Sequence, residues 1–378
     1  MSDELLIKDF LEPISVAQIT GDEELNDAQY GNRINIYTDE FPMIKDCDIV
    51  IMGIKEERGS GTGNANSSAP DTVRKHLYQL YYWHPDVRIA DIGNICAGSE
   101  LKDTHAAART VIAALLEQNK TVIILGGSHD LTLSQYGAYA QMNRIIEACC
   151  IDSLVNLQMN SALRSENFLM EMLTGEPNYI RHYNHIAFQS YFVHPEMLQI
   201  MDNLRFDCFR LGRVKEKIEN MEPVIRETNL VSIDIAAMAQ SSAPCNSVSP
   251  NGLNGEEMCT LTRYAGMSAS VSSIGIYGYR PEKDVQELTA VQIAHMIWYF
   301  IDGKHRSLLE APLSQKEAFN EFHTAFNQVD TVFLQSKKTG RWWMQLPNKN
   351  FIACSDEDYH LATMNEIPER WLRAQERG

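Results

Sequence analysis

Apolar residues along this chain fall into two kinds of run. Short unbroken runs rich in β-branched residues occur at "DIVIMGI" (48–54), "VRIADIG" (87–93), "TVIIL" (121–125), "IIEACCID" (145–152), "HIAFQS" (185–190), "LVSIDIA" (230–236) and "SSIGIYGY" (272–279). Runs of this length without polar alternation predict strands buried on both faces. Between them, apolar positions recur at helical spacing. "DTVRKHLYQLYYW" predicts one helix. "THAAARTVIAALLEQNK" (104–120) predicts another, with Val111, Ile112, Leu115 and Leu116 on one stripe and Asp103 or Thr104 as its cap. "LTLSQYGAYAQM" predicts a third, just after Gly126 and Gly127. Further helices are expected around 256–268 and 286–302, the latter closed by Gly303.

This alternation predicts an α/β fold, a mostly parallel sheet covered by helices on both faces. In such folds ligands bind beyond the carboxyl ends of the strands. After Gly303 the period changes. "TVFLQSKKTGRWWMQL" (331–346) alternates apolar and polar across "KKTG" and predicts a β-hairpin, and "EIPERWLRAQERG" predicts a tail helix. The chain therefore divides into an N-terminal segment (1–47) with a surface loop at "GDEELNDAQYGN", an α/β domain (48–303), and a C-terminal hairpin-and-helix appendage (304–378).

The 378 residues are 44% apolar and 22% charged, enough for a large core. A formal net charge of −17 argues against nucleic acid and anionic membranes as partners. It leaves room for a small anionic ligand in a locally basic pocket. The start has no basic segment followed by an apolar one, and no run of eighteen apolar residues occurs, so a cytoplasmic protein is expected. Eight cysteines without a CxxC pair read as reduced core thiols.

Chemistry gathers at three strand ends. "LGGSHD" sets His129, with Asp130 beside it, after a Gly-Gly turn. "IDSLVNL" sets Asp152 at the next strand end, and "SIDIAAMA" sets Asp234 at a later one. Singly, each reads as a cap or a loop anchor; in this order they resemble the ureohydrolase family of arginase, agmatinase and formimidoylglutamase. "GGSHD" is similar to that family's Gly-Gly-x-His motif, and "APDTVRKHL" to its early Pro-x-x-Val/Ile-Arg segment. "IDSLVNL" stands where the family has Asp-Ala-His-x-Asp. "SIDIA" stands where it has Ser-x-Asp-x-Asp, and "GYRP" (278–281) where it has Glu-x-Asn-Pro. The resemblance covers about 48–302 and leans towards formimidoylglutamase-like members.

The resemblance implies two manganese ions held by two histidines and four aspartates, with a bridging hydroxide that attacks an amidine or guanidinium carbon. Carried over by position, His129, Asp152 and Asp234 match. The second histidine is Leu154, one aspartate is Asn156, another is Ala236, and the guanidinium-binding glutamate is Gly278. Two dications ~3.5 Å apart repel by about 19 kcal/mol at an effective dielectric near 20. Four carboxylates offset that in the family; two remain here. A two-ion cluster is therefore not expected. His129, Asp152, Asp234 and Asn156 are expected to hold at most one weakly bound manganese or other divalent ion, and no cofactor is the first expectation. Without an ion, Asp152 and Asp234 need another cation, for which His129 or Arg280 is available. Asp130, Gly278 and Arg280 are the further pocket candidates.

Other signals carry less. "GSGTGN" (59–64) lacks the Lys-Ser/Thr end of a phosphate loop and reads as a flexible loop near the crevice. His182, His185 and His194 flank a strand and are expected to diverge. Trp342 and Trp343 read as hairpin packing or a subunit contact. Three functional readings follow: a ligand-binding protein with a decayed metal centre, an active hydrolase of carbon–nitrogen bonds in linear amidines, or a structural subunit. The partner is an unidentified small molecule or protein, and the resemblance adds an expected homo-oligomer.

Overall fold

The computed structural model describes residues 7–21, 24–158 and 160–377. Residues 1–6 of the N-terminal segment, residues 22–23 of the expected surface loop and Gly378 of the tail lie outside the described residues.

All seven predicted strands form. They are β3 (Ile49–Ile54), β4 (Ile89–Ile95), β5 (Thr121–Leu125), β6 (Ile146–Ile151), β7 (Ile180–Phe188), β9 (Leu230–Asp234) and β10 (Ser273–Tyr277). Short strands β1 (Leu11–Glu12), β2 (Asn35–Ile36) and β8 (Asp207–Arg210) complete a ten-stranded sheet. Its order is β1-β4-β3-β5-β10-β9-β6-β7-β8, with β2 also on β4. Every pairing is parallel except β1 with β4. β3, β4, β5 and β10 are buried along their whole length, as their apolar runs require.

Side chains alternate between the two faces. Ile49, Ile51, Cys149 and Ile151 face a core shared with helices α1 (Ala69–Gln79), α6 (Gly255–Met267) and α7 (Leu288–Ser307). Val50, Met52, Ala148 and Cys150 face the opposite core, shared with α2 (Leu101–Glu117), α3 (Thr132–Gln141) and α4 (Arg164–Thr174). Buried Arg74 of α1 ties its helix to the sheet, donating through Nε to Asp91 at 2.8 Å and through Nη1 to Asn94 at 2.6 Å.

Three helix ends differ from expectation, the first being that of "DTVRKHLYQLYYW", which stops at Gln79. α2 begins three residues before "THAAAR" because Glu100 is the cap: the Glu100 N–H donates to Asp103 Oδ2 at 2.9 Å, and Asp103 is the third helical residue of a capping box. α7 does not stop at Gly303 but continues to Ser307, across the 303/304 division. Gly303 is there for close packing. A Cβ on it would lie 2.3 Å from the Arg263 carbonyl oxygen, and one on Gly266 would lie 2.0 Å from that of Phe300.

The appendage is larger than a hairpin. β12 (Val329–Ser336) and β13 (Trp342–Gln345) form the predicted pair, flanked by β11 (Phe319–Phe326) and β14 (Phe351–Cys354) in an antiparallel sheet. Helices α8 (Asp356–Thr363) and α9 (Glu369–Arg377) accompany it, and Phe326, Phe333, Trp342, Met344 and Trp371 make its core. It docks on α5 (Met221–Arg226): the Arg226 guanidinium stacks 4.5 Å from the Trp343 ring and donates to the Trp342 carbonyl oxygen at 2.8 Å. Trp342 and Trp343 are both buried, so they are packing residues of the appendage. Among the described residues no helix is long and apolar enough to cross a membrane.

Candidate functional site

In the sheet order, β5, β10, β9 and β6 are neighbours. Their carboxyl ends carry His129, Gly278, Asp234 and Asp152, so the three motifs meet because their strands are adjacent. Gly127 makes the first turn possible. Its φ is +77°, and a Cβ would lie 2.2 Å from Leu131 and 2.6 Å from the Glu56 carbonyl oxygen.

The centre is a closed cluster. His129 Nδ1 lies 3.2 Å from Asp152 Oδ2 and 3.3 Å from Asp234 Oδ2. Its Nε2 lies 2.9 Å from Ser232 Oγ and 3.7 Å from Cys150 Sγ. The ring packs beside Phe168, centroids 4.7 Å apart. Asp152 Oδ2 also accepts from Asn156 Nδ2 at 2.8 Å, and its Oδ1 accepts from the Leu154 N–H at 3.1 Å. Asp234 Oδ1 accepts from the Ala236 N–H at 2.7 Å.

Electrostatics follow from this geometry. Burial works against a charged His129, yet Cys150, Asp152 and Asp234 raise its pKa well above that of free histidine. Burial opposes ionisation of Asp152 too, but hydrogen bonding and charge from His129, helped by His185, hold its pKa below the usual carboxylate value. Asp234 goes the other way, up to about 6, through burial and the charge of Asp152. The arrangement is an imidazole clamped between two carboxylates, which draw it towards its charged form.

The cluster opens on a cavity of about 180 Å³, lined also by Glu57, Ser60, Leu154, Glu166, Ser247 and Arg280. Of the residues singled out from the sequence, His129, Asp152, Asp234, Asn156, Gly278 and Arg280 all line it. Asp130 does not. It is buried, turned to His105 at 3.0 Å and Ser128 at 2.5 Å, because consecutive residues of a turn diverge. Arg280 reaches the cavity but makes no ion pair among the described residues, so the neutralising partner of the aspartates is His129. His182, His185 and His194 do diverge. His182 bonds Asp207, His185 bonds the Tyr183 hydroxyl and the Asp152 carbonyl oxygen, and exposed His194 caps the helix Pro195–Asn203. The loop at 59–64 touches the crevice through Ser60.

Three groups take a part that the sequence reading did not give them: Cys150 was read as a core thiol, Ser232 only as the first residue of "SIDIA", and Glu57 not at all. Cys150 and Ser232 each lie two residues before an aspartate on a strand, so both share that aspartate's face and meet His129. Strand parity was the available signal. Glu57 lies three residues past the end of β3; an acid shortly after an apolar strand was the signal there.

The donor set can be tested against metal binding. The second-ion position lacks its own ligands: Leu154 presents alkyl carbon and Ala236 a methyl where the resemblance places a histidine and an aspartate, which leaves only the shared Asp152 and Asp234. A side chain could not return to 278 without moving Asp234, since φ is +77° and a Cβ would lie 2.6 Å from Asp234 Oδ1. Two ions do not fit. The one-ion set has better spacing. Donors 3.2 and 3.3 Å apart match the edges of a polyhedron with bonds of about 2.1–2.3 Å. Asn156, however, presents its amide nitrogen there, and coordination would require a half-turn of the amide and loss of its bond to Asp152. His129, Cys150 and Asp152 also bring one donor atom each within 4.8 Å of one another. The thiol and the carboxylate lie against different ring nitrogens, and burial pushes the thiol pKa up, so that trio is a poor thiolate site.

Comparison with known proteins agrees with the strand-end motifs. The Arginase family profile matches residues 47–302. Formimidoylglutamase of Halalkalibacterium halodurans is 25% identical over 279 residues, 67% of this chain and 86% of that one. Formimidoylglutamase from Bacillus subtilis superposes with a TM-score of 0.66 at 19% identity, covering 76% of this chain and 96% of its own. Formiminoglutamase of Trypanosoma cruzi, solved with manganese, gives 0.65 at 17% identity, covering 74% and 99%. The chain belongs to the arginase family, and within it is most like the formimidoylglutamases.

Proposed function

We propose that this chain binds a small polar ligand at the carboxyl end of its sheet without a two-ion hydrolytic centre. One observation carries the reading: His129 lies between the Asp152 and Asp234 carboxylates, at 3.2 and 3.3 Å, where a hydrolase of this family would need cationic charge from metal. The imidazolium offsets one carboxylate, and the raised pKa of Asp234 lets it share a proton. Leu154 and Ala236 remove the second ion's ligands. Both imidazole nitrogens are engaged, so the group of the cluster left to accept a proton is Asp234, whose pKa is drawn up to about 6.

A second reading has one specific observation in its favour, the edge lengths of the four-donor set. His129 Nδ1, Asp152 Oδ2, Asp234 Oδ2 and a turned Asn156 amide would hold one divalent ion. Such an ion supplies Lewis acidity and lowers the pKa of water. His129 would first have to lose its Nδ1 proton, so uptake by this set should release a proton and weaken as pH falls. The names of the relatives then point to formimidoyl amidines as substrates.

Purification in excess manganese, followed by metal analysis and an assay for formamide (with L-glutamate) or ammonia (with N-formyl-L-glutamate) released from N-formimidoyl-L-glutamate, separates the two. Less than one ion per chain and no release are expected. One retained ion with turnover establishes the second reading and removes the first.

A further inference from the structure

The cavity holds two opposite charges, Glu57 and Arg280, that feel each other's field but form no ion pair among the described residues. Glu56 and Glu57 follow β3 in succession and have different fates. Both Glu56 oxygens are taken by the Arg58 guanidinium, Nε to Oε1 at 2.9 Å and Nε to Oε2 at 3.1 Å, and Thr104 Oγ1 donates to Oε2 at 2.9 Å. Glu57 is only 4% exposed and lines the cavity, yet its Oε1 is buried with no hydrogen-bond partner. A buried carboxylate oxygen left unpaired is unfavourable, and a native structure that keeps one calls for a reason.

The backbone holds Glu57 in place. Its N–H donates to the Asn64 carbonyl oxygen at 2.8 Å, and its own carbonyl oxygen accepts from the Ser60 N–H at 3.0 Å and from Ser60 Oγ at 2.9 Å. The carboxylate is thus presented on a closed loop, which lowers the entropy lost on binding. Arg280 lines the same cavity, half-buried, with no ion pair among the described residues. The two ends of the site are joined through main chain: the Ser128 N–H donates to the Glu56 carbonyl oxygen at 2.9 Å, and the Gly278 N–H to the Gly127 carbonyl oxygen at 2.9 Å. The loops carrying Glu57 and Arg280 are therefore anchored to the same Gly127–Ser128 turn.

We propose that Glu57 is the cation-recognising residue of this cavity and that Arg280 takes the anionic end of the same molecule. The occupant carries an N–H-bearing cation of the ammonium or amidinium class and a carboxylate. The proposal rests on the ligand-binding reading above and adds to it which side chains do the recognising. Gly278, bare and left-handed, makes room; the carboxylate that meets the ligand comes from the neighbouring loop.

Titration calorimetry on the full chain tests this with L-arginine, which carries both charges, agmatine, which carries only cations, and glutarate, which carries only anions. Glu57→Gln should weaken L-arginine and agmatine about tenfold or more and leave glutarate unchanged. Arg280→Gln should weaken L-arginine and glutarate and leave agmatine unchanged. Unaltered agmatine and L-arginine binding in Glu57→Gln would overturn the assignment while leaving the ligand-binding reading intact. Failure of all three probes to bind the unmodified protein would overturn both. If Glu57→Gln does not fold, a crystal of the unmodified protein with agmatine decides. A cation within hydrogen-bond distance of Glu57 supports the proposal, and one placed elsewhere ends it.

Discussion

Asp152 and Asp234 are both buried beside His129 yet are shifted in opposite directions, because hydrogen bonding and charge from His129 outweigh burial at Asp152, whereas burial and the charge of Asp152 dominate at Asp234. Removing the shared cation should expose their repulsion. His129→Ala leaves two buried carboxylates facing a void and is expected to cost about 3–5 kcal/mol, read as a fall in the midpoint of urea unfolding. Glu57 makes a prediction of the opposite sign. Burial comes first among the causes that raise its pKa above 4.5, hydrogen bonding from Ser67 opposes it, and the charge of Glu282 adds to it. The folded protein then keeps this proton to higher pH than the unfolded chain. Its contribution to stability is whole below about pH 4.5 and is lost as pH rises through the raised value. Glu57→Gln should therefore stabilise the ligand-free protein at pH 7.5 by about 1 kcal/mol or less and leave it unchanged at pH 4. Gly278→Glu, which restores the family residue, should destabilise by about 1–3 kcal/mol, because φ at 278 is +77° and the new Cβ collides with Asp234. At this scale His129, Asp152 and Asp234 were legible, since strand-end acids and a post-glycine histidine declare their positions. Asp130 was misread because sequence adjacency on a turn says nothing about direction. Cys150 and Ser232 were read as a core thiol and a motif residue, and their contact with His129 was missed although strand parity placed it.

The strands were the plainest part of the sequence, because a strand buried on both faces leaves an unbroken apolar run. Helix ends were not, and Gly303 shows why: a glycine that ends a helix and one that lets another helix approach look alike in one dimension. Gly266→Ala should cost about 3 kcal/mol, since its Cβ would lie 2.0 Å from the Phe300 carbonyl oxygen, and the thermal midpoint should fall accordingly. An exposed helix glycine would instead gain stability on the same change. β11 was missed for another reason. Its "FNEFHTAF" has only Phe319 and Phe326 buried, and such a strand carries little apolar signal until its partner is known.

At the scale of the whole molecule, the cavity is lined, among the described residues, only by residues between Glu57 and Arg280, with none from the appendage. Trp343→Ala should loosen the appendage, seen as faster proteolysis between 308 and 318, while L-arginine titration of the cavity stays unchanged. Loss of binding would show that the appendage shapes the site. The central claim is that this member of the arginase family lacks the charge and the ligands for two adjacent ions. The direct measurement is the number of manganese ions per chain, by mass spectrometry of metal content after equilibration in excess manganese and removal of free ion. The account predicts at most one, readily lost, with two reached only when Leu154→His, Asn156→Asp and Ala236→Asp are combined. Two retained ions in the unmodified protein would contradict it.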